Sequence, residues 1–305
     1  SRNVTINGGL GDDTVNFQGD ITFAGNNSLD VNLQDDSVTP GVDQVNIQTN
    51  AKIIAAGSGK ISILCSRNIA LWNGSKLETL FGDLTLEANF QSTSTSGNFD
   101  GVNLDNATLK CGFFGVGLLS VKGKGGDNAG GFQMGIFAGN GSKIMAARKA
   151  YLHGIGGDTT GIVSRGVSLY GTNTVISSDD ELEIVGLGGS ASGYYSIGIS
   201  MLAGAVVDAP YLIMNGTGRG APLDQSGNQR LAQRVDELVQ FDDAGIGFVV
   251  GGHPQLLLAV GHHLEGFRIV LLDVEEGILD AGLQFGGHGV EARGEAADLV
   301  LRLDG

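Results

Sequence analysis

Proline, aromatic residues and charge are all in short supply in this chain. It has 4 prolines, 6% aromatics and 17% charged residues over 305 positions, where a charged share of about 25% is ordinary for a soluble domain. Scarce proline, with no G-X-Y register, excludes collagen-like and proline-rich disordered segments. Cysteine occurs only as Cys65 and Cys111, in neither a CxxC nor a paired metal spacing, so the chain has neither a disulfide scaffold nor a zinc site. No apolar run reaches the roughly 18 residues of a membrane span. Basic residues are outnumbered, 18 against 33 acids, for a formal net charge of −15. Nucleic acid is disfavoured as a partner because phosphate binding needs a Lys/Arg patch, and anionic membranes are disfavoured for the same reason. The chain opens at Ser1 with neither Met nor a charged-then-apolar leader, which predicts a piece of a longer or processed protein.

Glycine is plentiful, at 52 residues, and it recurs in register. "VKGKGG" (121–126), "LHGIGG" (152–157), "IVGLGG" (184–189) and "MNGTGRG" (214–220) place Gly123, Gly154, Gly186 and Gly216 at steps of 31, 32 and 30 residues. "GVNL" at 101, "GIFA" at 135, "GVSL" at 166 and "GISM" at 198 follow at similar steps of 34, 31 and 32. A third marker ends near Leu109, Ile144, Val175 and Val207. Three markers in fixed order at one period identify a structural repeat of about 31 residues. Upstream the step is shorter. "GDITF" at 19, "GKISI" at 59 and "GDLTL" at 82 share a pattern, and the last two lie 23 residues apart.

Within each unit the apolar residues alternate, as in Ile61/Ile63, Leu84/Leu86 and Ile199/Met201, so each strand has one inward face. Such short segments bury that face only by stacking on their equivalents, about 4.8 Å apart. The expected fold is all-β, a right-handed parallel β-helix (β-solenoid) over 1–221. Its coils are of about 23 residues to about 97 and of about 31 residues over 98–221. A lone G-x-G can cradle phosphate, but no convincing helix follows any of the four, as a dinucleotide site requires. They read as coil corners, with positive φ or no room for a Cβ beside the neighbouring coil. Insertions such as "DNAGGFQM" and "SASGYYSI" are expected to loop out on one side. Two 23-residue coils predict Cys65 and Cys111 in one column about 9.6 Å apart, too far for a disulfide, hence buried free thiols.

From about 222 the composition changes: Thr, Tyr and Lys vanish, and 222–305 carries 14 acids against 5 arginines. "SGNQRLAQRVDELVQF" has the stripe Leu231, Val235, Leu238 and Val239 and a capping box of Ser226 with Gln229, the pattern of a short amphipathic helix. Strands are expected at "IGFVV", "QLLLAV", "FRIVLLDV" and "DLVLRL". The segment 222–305 reads either as a cap on the solenoid end or as an unrelated segment.

Chemistry is sparsely signalled. The four tail histidines, His253, His262, His263 and His288, match no metal spacing and read as turn residues. Asp179–Asp180 and "GHG" at 287–289 are similar to a polygalacturonase pair, but they stand more than 100 residues apart, where that family has them about one coil apart. "SSDDELE" instead reads as an outward polar turn. Trp72 and Tyr170 are scattered, and Tyr194 and Tyr195 in a lengthened loop are the candidate ligand-binding pair.

Two resemblances add expectations. "GGLGDDTVN" (8–16) fits G-G-x-G-x-D-x-U-x and resembles the calcium repeat of repeats-in-toxin proteins. That resemblance implies Ca²⁺ held by the Asp13 carboxylate and the Gly9 and Gly11 carbonyls; the second turn such a site needs is present only as the degraded "GNNSLDVNL". The stretch 46–90, with "GKISI", "RNIAL" and "GDLTLEAN", resembles haemagglutinin-type repeats of secreted bacterial adhesins of the filamentous haemagglutinin family. It implies a non-catalytic extracellular or cell-surface stalk, part of a longer adhesin, presenting loops to carbohydrate or to a host or neighbour cell surface. The alternatives are a polysaccharide-acting β-helix enzyme, lyase or hydrolase, and a calcium-stabilised secreted module.

Overall fold

The structure, a computed structural model, describes residues 2–34, 41–128, 132–158, 163–189 and 195–218, and the strand segments 239–240, 268–275, 278–285 and 288–295. Strands come in trios, one trio per coil. The first coil is β1 (Val4–Asn7), β2 (Thr14–Phe17) and β3 (Ile21–Phe23); the second is β4 (Leu29–Leu33), β5 (Gln44–Ile47) and β6 (Lys52–Ala55). The third is β7 (Ile61–Cys65), β8 (Asn68–Leu71) and β9 (Lys76–Thr79); the fourth is β10 (Leu84–Ala88), β11 (Val102–Asp105) and β12 (Thr108–Cys111). The fifth is β13 (Leu118–Lys124), β14 (Gln133–Gly139) and β15 (Lys143–Ala146); the sixth is β16 (Lys149–Ile155), β17 (Val163–Tyr170) and β18 (Val175–Ser178). The seventh is β19 (Glu181–Leu187), β20 (Tyr195–Leu202) and β21 (Val206–Asp208), and β22 (Tyr211–Thr217) opens the next.

Equivalent strands pair in parallel into three sheets. Sheet A runs β1-β4-β7-β10-β13-β16-β19-β22, sheet B runs β2 to β20 and sheet C runs β3 to β21. This is the expected all-β parallel solenoid. Each strand turns alternate residues inward, and Leu29, Ile53, Ile63, Leu77, Leu86 and Leu104 are fully buried in one continuous core. A buried side chain of that size is worth about 1.5–3 kcal/mol relative to exposure.

The recurrent glycines stack as the spacing requires: Gly123 on Gly154, Gly154 on Gly186 and Gly186 on Gly216. They are not corners. All four lie inside strands of sheet A, and none has positive φ. A Cβ on Gly123, Gly154 or Gly186 would stand 2.0–2.2 Å from the carbonyl oxygen of Gly135, Gly166 or Gly198 on sheet B. Conversely, a Cβ on Gly135, Gly166 or Gly198 would meet a backbone nitrogen of sheet A at 2.2–2.4 Å. Two glycine columns therefore face each other across the interior, and the backbones of sheets A and B touch there. The neighbouring-coil clash belongs to the later glycines of each motif, since a Cβ on Gly157 or Gly189 would strike the Gly126 or Gly157 carbonyl of the coil before.

This seam completes a gradual taper. One inward column of sheet A reads Leu33, Cys65, Ala88, Gly123, Gly154, Gly186, Gly216. As side-chain volume falls to nothing, sheet A strands lengthen from 5 to 7 residues and sheet B strands from 4 to 7 or 8. The extra length forms a flat flange where two sheets lie face to face.

The corners between sheets B and C carry a recurrent left-handed asparagine. Asn50, Asn106, Asn140 and Asn173 have φ of 61°, 48°, 56° and 68°, a conformation that asparagine tolerates better than most side chains. The connections of seven residues or more all run from sheet A to sheet B, so the expected insertions do share one side. Coil length is set there: successive steps along sheet A are 25, 32, 23, 35, 31, 32 and 30 residues, so the early coils have no uniform short period.

Three register expectations are corrected. Ile144 pairs with Ile176, whereas Val175 faces outward beside Lys143; two adjacent β-branched residues make that one-place slip easy. "GDITF" ends in β3 on sheet C, while "GKISI" and "GDLTL" lie on sheet A. Cys65 and Cys111 are buried free thiols, but on sheets A and C, not in one column.

Beyond the solenoid, β23 (Val239–Gln240) pairs antiparallel with β22. These two residues belonged to the expected helix, the rest of which lies outside the described residues, as do the strands expected at "IGFVV", "QLLLAV" and "DLVLRL". "FRIVLLDV" supplies β24 (Arg268–Glu275), which forms an antiparallel sheet with β25 (Ile278–Phe285) and β26 (His288–Glu295). No described helix is long and apolar enough to cross a membrane.

Candidate functional site: the outer face of sheet A

On the flange, polar side chains of sheet A point outward because they alternate with the inward glycines. Lys122 and Lys124 flank Gly123, and one rung on, Tyr151 and His153 precede Gly154. Asn89, at φ 53°, ends β10 with a left-handed turn, after which the Phe90 ring contacts the His153 ring edge-on at 4.9 Å, two coils away. Lys122 bridges the gap, its ammonium 5.7 Å from the Phe90 centroid and 3.4 Å from Glu87 Oε2. Lys124 Nζ donates to Ser94 Oγ at 2.7 Å.

His153 is half-buried. Its Nδ1 is 3.1 Å from the Tyr151 hydroxyl, and its Nε2 is buried with no partner. Burial, and then the Lys122 charge, push its pKa below the usual histidine value, so the ring is neutral at neutral pH. Burial and the nearby Glu183 carboxylate push the Tyr151 phenol up. At the edge of the same face Lys149 lies 2.5 Å from Glu181 and 3.9 Å from Glu183. Hydrogen bonding to Glu181 raises the Lys149 pKa above the usual lysine value.

The outward carboxylates of these strands are thus engaged by lysines: Glu87 by Lys122, Glu181 and Glu183 by Lys149. General acid–base work on a glycosidic bond needs two carboxyl groups across one cleft, in different protonation states; among the described residues of β10, β13, β16 and β19, each carboxylate instead has a cation beside it. The grouping supplies two ammonium donors, a neutral imidazole and two aromatic rings.

The other sequence candidates lie elsewhere. Asp13 Oδ2 accepts the Gly9 amide at 3.1 Å, and the Asp13 amide donates to Asp43 Oδ1 at 2.7 Å. The carboxylate therefore closes its own turn, with Gly11 at φ +131°. Among the described residues no group of three His, Cys, Asp or Glu is gathered for a metal. Tyr194 is outside the described residues; Tyr195 opens β20 opposite Val163. Asp179 and Asp180 are exposed at the turn into β19, as expected. Trp72 follows β8 and Tyr170 ends β17, strands of sheet B three coils apart, and His288 begins β26, with the other tail histidines outside the described residues.

Sequence reasoning missed Phe90, Lys122, Tyr151 and His153. The glycine step carried the signal for three of them, since the match of Gly123 to Gly154 also stacks Lys122 on His153. Phe90 comes from an irregular connection and had no such signal. No protein-family model, curated protein or solved structure matches this chain.

Proposed function

We propose that the chain is a non-catalytic spacer and presentation segment of an extracellular or cell-surface adhesin-like protein. The observation that carries this reading is the continuous apolar core, running from β2 to β22, with outward glutamates tied to lysines. Seven rises at about 4.8 Å make a rod of about 34 Å whose sides display groups without breaking the ladder. A protein that must span distance needs in-register hydrogen bonding along its axis, and a solenoid supplies it coil by coil. Incubating the full chain with uronic-acid and neutral polysaccharides, and following reducing ends and unsaturated products, should show no turnover. Catalytic cleavage of any of them would overturn the reading.

A second reading rests on the Lys122–Tyr151–His153 grouping, which supports a polysaccharide-acting enzyme. If turnover is found and His153→Ala abolishes it, that reading takes the place of the first.

A further inference from the structure

A net charge of −15 conceals an uneven distribution. All eight lysines lie between positions 52 and 149, where ten basic residues face six acids. Stacking gathers four of them on the outer face of sheet C. Lys52 pairs with Lys76, Thr108 separates Lys76 from Lys143, and Lys110 stands in the adjoining column. The one glutamate in that part of the face, Glu78, is held by both Lys76 (2.6 Å) and Lys110 (3.1 Å). Lys52 and Lys143 have no carboxylate within ion-pair distance among the described residues.

At the edge of this face, three residues beyond Lys110, the chain does something unlike its neighbours. The turn from sheet C to sheet A takes five, five and four residues after β3, β6 and β9 and two after β15 and β18, and it is longest after β12, at six. That turn, "GFFGVG", has four residues at positive φ (Gly112, Phe114, Gly115 and Gly117), so it is shaped to protrude. Phe114 is 83% exposed and Phe113 43%, their rings 4.0 Å apart. Val116 and Leu118 beside them, and Leu80 and Phe81 on the coil before, are exposed too. Arg148 is exposed at the same corner of the following coil. Contiguous exposed apolar groups of this size mark an interaction site.

We propose that this corner docks on an anionic lipid surface, Phe113 and Phe114 entering the interfacial region while Lys52 and Lys143 face the headgroups. The shape selects the occupant. A convex apolar tip carrying no hydrogen-bonding side chain suits a deformable bilayer and offers nothing to sugar hydroxyls. A second copy would bring one lysine stripe against another. At the corner itself, Asp83 accepts the Leu118 amide and is paired with Lys60 at 2.6 Å; acids farther off act weakly, because charges beyond about 8 Å are screened at physiological salt, while each lysine near an anionic surface contributes about fivefold in affinity. The inference does not depend on the adhesin reading.

The test is flotation of the full chain with vesicles of phosphatidylcholine alone or mixed with phosphatidylserine. Binding to the mixed vesicles should exceed that to neutral ones by about tenfold or more and weaken as salt rises. Phe113→Ser with Phe114→Ser should lower it by about tenfold, and Lys52→Glu with Lys143→Glu should remove the preference for phosphatidylserine, both with unchanged circular dichroism. Absence of binding at low salt, equal binding to both vesicle types, or insensitivity to the phenylalanine pair would overturn the proposal. So would a dimer in sedimentation that the phenylalanine variant dissolves while vesicles remain unbound.

Discussion

The coils from β4 to β12 and those from β13 to β22 close the same repeat by opposite means. In the first half the interior between sheets A and B is filled, with Leu33, Cys65 and Ala88 on the tapering column. In the second half that column is emptied, and Gly123, Gly154, Gly186 and Gly216 let the two backbones touch. Filling gains hydrophobic burial; emptying gives up that burial and gains strand length, because flat sheets can run past the core edge. The flange, and the polar face it presents, exist only in the emptied half. Glycine has an entropic disadvantage in strands, so its persistence at four successive rungs needs such a structural return.

Substitutions along this one column separate the two regimes. The largest effect is expected for Gly154→Val. Its Cβ would lie 2.0 Å from the Gly166 carbonyl oxygen and 2.5 Å from the carbonyl carbon, and a backbone hydrogen-bonded on both sides cannot retreat like a side chain. A loss above about 4 kcal/mol, the range of severe overpacking, is expected, read by chemical denaturation of the full chain. Wild-type stability would mean the two sheets are not in backbone contact in solution.

Leu33→Ala, in the filled half, creates the opposite defect. Leu33 is fully buried, and a cavity there should cost about 2–5 kcal/mol. The variant should nevertheless fold, because its neighbours up the column, Cys65 and Ala88, are already small. If Leu33→Ala proved costlier than Gly154→Val, the taper would have no energetic meaning.

Much of the fold was legible because a solenoid repeats its reasons. Glycine spacing gave the true partners of Gly123, Gly154 and Gly186, and alternation gave the inward face of Ile61, Ile63, Leu84 and Leu86. What spacing could not convey was which sheet a unit belongs to. "GDITF" resembles "GKISI" because any strand after a tight turn has that pattern, and Cys65 and Cys111 were misplaced for the same reason. The meaning of the glycines was half legible: exclusion of a Cβ follows from the repeat, but the partner doing the excluding lies across the coil, which a one-dimensional period does not contain. The candidate site was less readable still. His153 and Lys122 were in register with the markers, yet the contact that makes them a group comes from Phe90, delivered by a left-handed Asn89 in an irregular connection. The protruding Phe113–Phe114 turn breaks the period, and a search for what recurs passes over it.

The smallest effect tests whether the two halves differ only inside. Glu78 lies on the outer face of the filled half. Burial alone would raise its pKa, but hydrogen bonds and charge from Lys76 and Lys110 bring it below the usual 4.5. A folded-state pKa below the unfolded value means the carboxylate contributes stability above about pH 4.5 and loses that contribution as the pH falls through the folded value. Glu78→Gln should therefore be less stable than wild type by under about 1 kcal/mol at neutral pH, since the pair is partly solvated, and the gap should close in acid. Glu181→Gln, on the outer face of the emptied half, should cost as little at neutral pH, because Lys149 and Glu181 are likewise part-exposed. A Glu181→Gln loss several times larger would mean that the outer ion pairs carry load in the half whose inner column is glycine, and the contrast between the halves would extend to the surface. A gap for Glu78→Gln that stays constant from neutral pH into acid would show instead that the substitution acts through packing, not through the charge that Lys76 and Lys110 hold.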